Sequence, residues 1–197
     1  MRLYFSPASP FARKCRILIR EKGMLDRVEE QRTDPLGDAE LRRINPLAQV
    51  PVLVDDEGVV WTDSPLICAR LDHLGGAPNL IPDGDARWSV LHRETLADGI
   101  MELGVKWRLE SVRPEGERSQ TWMSRWRDGV LATIAATERE TPSPEAPLDI
   151  ASAAAVGALT WLDFRFPDLG WRPMAAKLAA LQEALEQRQS FKDTRPA

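Results

Sequence analysis

The first regular pattern along the chain is Leu3 to Phe5, a short β-rich run that Ser6-Pro7 stops. From Pro10 to Lys22 the apolar positions Phe11, Cys15, Leu18 and Ile19 form one helical stripe, and Gly23 ends it. Arg27 to Arg32 reads as a second strand, and Asp38 to Ile44 as a short polar helix. Val52 to Val54 and Val59 to Trp61 are β-rich and are joined by Asp55-Asp56-Glu57-Gly58, a hairpin turn by composition. Ser64 to Leu74 is helical until Gly75-Gly76. The predicted order, β-α-β-α-β-β-α, is a mixed sheet with helices on its faces.

The pattern changes at Ala77 to Pro82, where two prolines in a short stretch suggest an interdomain linker. Beyond it the periodicity is helical throughout. Asp85 to Val112, Glu115 to Glu140, Leu148 to Phe164 and Arg172 to Gln187 read as helices. Breaks fall at Arg113-Pro114, at Thr141 to Pro144 and at Pro167 to Gly170. The expected boundaries are a first domain over 1–77, a linker over 78–83 and an all-α domain over 84–197. Trp88, Trp122, Trp126 and Trp161 are expected to fill the core between these helices.

Composition narrows the class. With 197 residues, 43% hydrophobic and 28% charged, the chain is long enough for two modest cores and unlike disordered or fibrous sequences. A net charge of −4 gives no global nucleic-acid footprint. The arginines at 108, 113, 118, 125 and 127 are interleaved with acids and read as a solvated face. Cys15 and Cys68 lie inside apolar helical patterns, the usage of buried thiols in a reducing compartment. His73 and His92 have no ligand spacing around them, so no metal is expected. The N-terminus lacks a signal-type apolar core and no stretch is long enough to span a bilayer, so no membrane contact and a cytoplasmic location are expected.

Two segments carry chemistry. In Ser9-Pro10-Phe11, a serine at the N-cap precedes proline at the first helical position. The free N–H groups of such a helix end favour an anion by about 0.3–1 kcal/mol. The serine oxygen accepts from the backbone, which leaves its O–H to donate to a bound sulfur. The second segment runs from Asn45 to Pro51 and Val52, followed by Asp63-Ser64-Pro65. Local rules read Pro51 as a trans edge or turn proline; in cis it would leave the backbone of Val50 open to a ligand. Asp63 and Ser64 put a carboxylate and a hydroxyl beside another helix start, a pair suited to a ligand end carrying both ammonium and carboxylate.

SPASPFARK, NPLAQVPVL and DSPLI, in this order and spacing, resemble the three signatures of the glutathione transferase family, and the helical second half resembles its C-terminal domain. The likeness spans essentially the whole chain and is nearest to bacterial members whose first helix opens Ser-Pro-Phe. It implies a thioredoxin-like α/β N-terminal domain followed by an all-α C-terminal domain, with Pro51 in cis. It also implies glutathione as co-substrate, a small hydrophobic electrophile, a two-fold homodimer and a role in detoxification. Ser9 would stand beside the sulfur as the catalytic residue, with Phe11 on the same turn also contributing to the glutathione-binding site. Val50, presented by Pro51, would pair with the cysteinyl unit, Asp63 and Ser64 with the γ-glutamyl end, and Gln49 with the glycyl end.

Met101, Val105 and Arg108, on the first long helix, are the candidates for the electrophile pocket, together with their neighbours Asp98, Glu102 and Trp107. Tyr4 lies near where some family classes keep a catalytic tyrosine but reads first as a sheet or core residue, and Ser6 as a turn residue. Cys15, six positions into the helix from Ser9, reads as core. No C-x-x-C is present, and the redox-active members' cysteine is replaced by Ser9, which argues against disulfide exchange. The family's sixth helix opens with a hydroxyl cap and an aspartate three residues on. Asp149 fits the second position, but Ala146 stands in the first, which predicts a cap about 1 kcal/mol poorer. The competing reading from another class is a non-catalytic glutathione-transferase-like binding or regulatory protein.

Overall fold

The structure, a computed structural model, describes residues 1–197. Four strands, β1 (Arg2–Phe5), β2 (Glu29–Arg32), β3 (Val52–Val54) and β4 (Val60–Thr62), form one sheet in the order β2-β1-β3-β4. β1 and β2 are parallel and are joined through helix α1 (Pro10–Glu21), while β1–β3 and β3–β4 are antiparallel. Leu3, Tyr4 and Phe5 are all buried, because the central strand is covered on both faces. Leu3 packs with Cys15, Leu18 and Ile19 of α1 and with Ile67, Cys68 and Leu71 of α3 (Ser64–Leu74). Tyr4 points to the other face, onto Leu41 of α2 (Ala39–Ile44) and Val52. This is the thioredoxin-like arrangement expected.

The rest is helical: α4 (Ala86–Ser111), α5 (Gln120–Arg139), α6 (Ile150–Arg165), α7 (Ala176–Leu185) and α8 (Gln189–Lys192). α6 is the central helix, buried along nearly its whole length. Ile150 and Ala151 at its start enter the core shared with α1 and α3, and Ala154, Ala155, Ala158, Leu159, Trp161 and Leu162 build the core shared with α4, α5 and α7. α4 approaches α6 so closely at Gly104 that an added Cβ would stand 2.9 Å from the Trp161 ring. No helix is long and apolar enough to cross a membrane.

Several expectations are corrected. The helix read over Glu115 to Glu140 begins at Gln120, because Ser119 caps it through Trp122 N–H, and Glu115–Glu117 form a separate 3-10 turn. The helix read from Arg172 starts at Ala176, after a turn around Pro173, and α8 was not anticipated. At α6, Asp149 is itself the N-cap, accepting from Ser152 N–H at 2.8 Å, so the missing hydroxyl at Ala146 leaves no weak cap. Trp161 is buried, but Trp88 is 69% exposed and Trp122 50% exposed. Both sit in the first turn of their helices, before the apolar stripe begins; Trp122 stacks on Trp126, itself half-buried. His73 and His92 lie on the surface.

Candidate functional site

Strand register brings the predicted segments to one end of the sheet. Tyr4 opposes Val52, so continuing β1 and β3 by two residues sets Ser6 opposite Val50. Val52 opposes Thr62, so the same step sets Val50 opposite Ser64. The α1 loop, the Asn45–Pro51 segment and the start of α3 therefore meet beside the end of the central strands.

In the α1 loop, Ser9 N–H donates to Ser6 C=O at 3.0 Å, and Ser9 Oγ accepts from Ala12 N–H at 3.2 Å. Its own O–H has no partner within the chain. The loop is fixed from the helical part, where Trp161 Nε1 donates to Ala8 C=O at 2.8 Å. Phe11 is half-buried and packs against the core of the helical part.

Asn45 organises the second segment. Its buried side chain donates through Nδ2 to Gln49 C=O at 2.9 Å and accepts at Oδ1 from Leu47 N–H at 3.1 Å. Ala48 adopts φ +52°, and the Val50–Pro51 bond is cis. Pro51 is buried, Gln49 is exposed, and neither the N–H nor the C=O of Val50 is hydrogen-bonded within the chain. Such a free donor and acceptor beside a sheet end can pair with an extended ligand main chain.

The third segment holds the most pointed observation. Asp63 sits at φ +72°, a conformation that costs a non-glycine residue about 1–3 kcal/mol and collects at functional sites. Its side chain caps nothing and is exposed. Ser64, 1% exposed, has a buried Oγ with no hydrogen-bond partner at all. An unpaired buried hydroxyl costs about 1–3 kcal/mol, and nearly all such groups are satisfied. Here it lies at the N-terminus of α3, where a carboxylate would be welcomed by both hydroxyl and helix end.

Tyr4 lies on the α2 face, where its hydroxyl donates toward Glu40 at 3.4 Å. Cys15 and Cys68 are fully buried, with sulfurs 3.6 Å apart. Burial pushes the Cys68 thiol up, reinforced by its hydrogen bond with Cys15, so it is poorly suited to thiolate chemistry. Met101 is wholly buried in the helical core and presents no surface to a pocket, whereas Val105 and Arg108 are half-buried. A concavity lined by Thr160, Arg172, Gln182, Glu186 and Arg195 among others contains none of these residues.

One cluster escaped the sequence reading. Lys14, fully buried, donates from Nζ to Glu94 Oε1 at 2.7 Å and to both oxygens of Asp98 at 2.8 and 2.9 Å. Burial opposes its charge, but the carboxylates outweigh this and hold the ammonium protonated. Two carboxylates share one cation, so burial, with Glu94 and Asp63 nearby, pushes Asp98 up to about 6 against the pull of Lys14. The signal was present as a lysine inside the apolar stripe of α1 and acids four apart on α4.

Comparison with known proteins agrees with this geometry. Residues 8–74 match the family description "Glutathione S-transferase, N-terminal domain". A GST-like protein of Escherichia coli K12, YibF, itself uncharacterised, is 33% identical over all of this chain and 98% of its own length. The chain belongs to the glutathione S-transferase family. Among solved members, one from Pseudomonas fluorescens Pf-5 with bound glutathione is 39% identical over all of this chain and 98% of that one, with a TM-score of 0.94. A structure with bound S-(propanoic acid)-glutathione, also from that strain, is 38% identical with a TM-score of 0.90, covering both chains fully. A glutathione S-transferase from Methylobacillus flagellatus KT with glutathione bound is 30% identical over all of this chain and 99% of that one, with a TM-score of 0.91.

Proposed function

We propose that this chain binds glutathione in the cradle made by Ser9, Val50, Pro51, Asp63 and Ser64, and activates its thiol for attack on small hydrophobic electrophiles. The observation that carries the reading is the orphaned, buried Ser64 hydroxyl at the start of α3. It waits for an acceptor that the chain does not supply, and the glutathione α-carboxylate is such an acceptor. The solved relatives that hold glutathione support the choice of ligand.

In this reading Val50 pairs its free N–H and C=O with the cysteinyl unit, Asp63 takes the γ-glutamyl ammonium, and Gln49 reaches toward the glycyl end. The chemistry supplied by bound glutathione is a sulfur nucleophile. The thiol proton leaves to solvent, the sulfur bonds to the electrophilic carbon, and the leaving group departs with its electron pair. Ser9 assists by donating its free O–H to the thiolate at the N-terminus of α1. A thiol begins near ~8.5, and each unit of lowering requires about 1.36 kcal/mol of preferential thiolate stabilisation. A hydrogen bond to a charged group supplies about 1.5–3 kcal/mol.

Residues 1–77 act as the glutathione-binding domain and 84–197 as the substrate and dimerisation domain, joined by 78–83, in a cytoplasmic homodimer. The first helix is of the bacterial Ser-Pro-Phe type. The experiment is a turnover screen over halides, epoxides, isothiocyanates and disulfides, with Ser9→Ala beside the parent and thiolate absorbance followed on glutathione addition. Loss of the thiolate signal and at least about tenfold slower turnover in Ser9→Ala is the expected result. Turnover untouched by Ser9→Ala overturns the catalytic assignment, and binding without any turnover leaves a non-catalytic glutathione-binding protein.

A further inference from the structure

The aromatic wall beside the Ser9 loop ends in two arginines that no acid of the chain neutralises. Trp161, hydrogen-bonded to Ala8 C=O, meets the Phe166 ring edge-on at 6.3 Å. Phe166 stacks on Trp107 with 3.7 Å between centroids and 8° between planes. Next to each stacked ring in sequence stands an arginine, Arg108 on α4 and Arg165 at the end of α6. Arg108 is one turn beyond Gly104, and Arg165 one turn beyond Trp161, the pair at which the two helices touch.

Both guanidinium groups are half-buried, and neither forms an ion pair or donates a side-chain hydrogen bond. Arg165 lies over the Phe164 ring at 4.4 Å, while its Nε is buried and unpartnered. Of the acids that flank them, Asp168 is exposed and pairs with neither, and the others are engaged elsewhere. Glu110 accepts from Ser119 N–H at the start of α5, Asp163 holds Arg172, Trp171 and Gln182, and Glu102 pairs with Lys106. Arginine in the last turn of a helix complements the helix dipole, which explains each one singly. It does not explain why two flank one stacked pair of rings, Trp107 and Phe166, beside the Gly104–Trp161 contact. Burial, and then the charge of Arg108, also hold the Arg165 guanidinium below its ordinary value. The other arginines read as a solvated face, Arg113 and Arg118 between α4 and α5 and Arg125 and Arg127 on α5, are exposed, so Arg108 stands apart from them.

We infer that Arg108 and Arg165 form an anion subsite of the electrophile pocket, so that the preferred electrophile, and its glutathione conjugate, carries a carboxylate beyond an apolar body that lies against Trp107 and Phe166. A planar fork suits a carboxylate, and two such forks without competing acids favour one strongly. The inference rests on the glutathione reading above and names the substrate class of that same site.

Calorimetric titration with two conjugates of matched shape tests it: S-(2-carboxyethyl)glutathione and S-propylglutathione, with glutathione alone as reference. The parent should bind the carboxylate conjugate roughly tenfold more tightly than the propyl one. That ratio should shrink with added salt and collapse toward one in the double variant Arg108→Gln/Arg165→Gln, with Arg165→Lys retaining part of it. A ratio near one in the parent, or one that survives in the double variant, overturns the subsite while glutathione binding still stands. If glutathione itself does not bind the parent, the cradle reading and the subsite fall together.

Discussion

Trp161 Nε1 donates to the Ala8 carbonyl at 2.8 Å, so the loop that presents Ser9 is held by the central helix of the other half of the molecule. Ser9 is thus positioned from both sides: by the helix it caps and by α6. Trp161→Phe keeps an aromatic ring but removes the donor and leaves space beside Gly104. A loss of about 1–3 kcal/mol is expected from denaturant unfolding, with a larger fractional fall in turnover than in glutathione affinity. Equal turnover in both proteins would show that the loop needs no such anchor.

A second tie crosses the molecule between Arg13 of α1 and Glu186 at the end of α7, at 2.7 Å and with both residues buried. Burial works against the Glu186 charge, but Arg13 outweighs it and holds the carboxyl below its ordinary value. Glu186→Ala leaves a buried guanidinium without its counter-charge, for which about 3–5 kcal/mol is the expected cost. Chemical denaturation at neutral pH measures it, and a loss below about 1 kcal/mol would contradict the assignment.

Asp98 predicts a pH dependence of the opposite sign. Its folded value, about 6, lies above the ordinary aspartate value near ~3.9. The folded state therefore holds the proton more tightly, and this contribution is present below about pH 4 and lost as pH rises through about 6. Its size is of order 2–3 kcal/mol. Relative to Asp98→Asn, the parent should lose stability between about pH 4 and 6; Glu186, held low, acts the other way. Thermal unfolding curves of the two proteins that run parallel over this range would refute it.

The thiols should be inert in the native state. Cys15 and Cys68 are both fully exposed only on unfolding, and burial raises Cys68. Thiol titration should find almost no fast reaction in native protein and two thiols in denaturant, with Cys15→Ser keeping its turnover. Full loss of activity in Cys15→Ser would revive a thiol oxidoreductase.

The local alphabet carried most of the fold. Proline after serine marks the start of α1, and Gly58, at φ +80°, allows the turn between β3 and β4. What it could not carry was long-range electrostatics. Lys14 reads as one charge in an apolar stripe until packing sets α4 acids against it, and Trp88 and Trp122 read as core until their helices show where the buried face begins. Pro51 shows the limit most plainly. Its local rules favour trans, and only the family resemblance carried by the three signatures together and the helical half implied the cis bond observed.

The central claim is that the unpaired Ser64 hydroxyl belongs to a glutathione site, and calorimetric titration of glutathione into the parent and Ser64→Ala tests it directly. Deleting a buried, unsatisfied hydroxyl should leave the melting temperature equal or raised, while weakening glutathione binding by roughly tenfold or more. No binding to the parent, or equal binding in Ser64→Ala, would contradict the account.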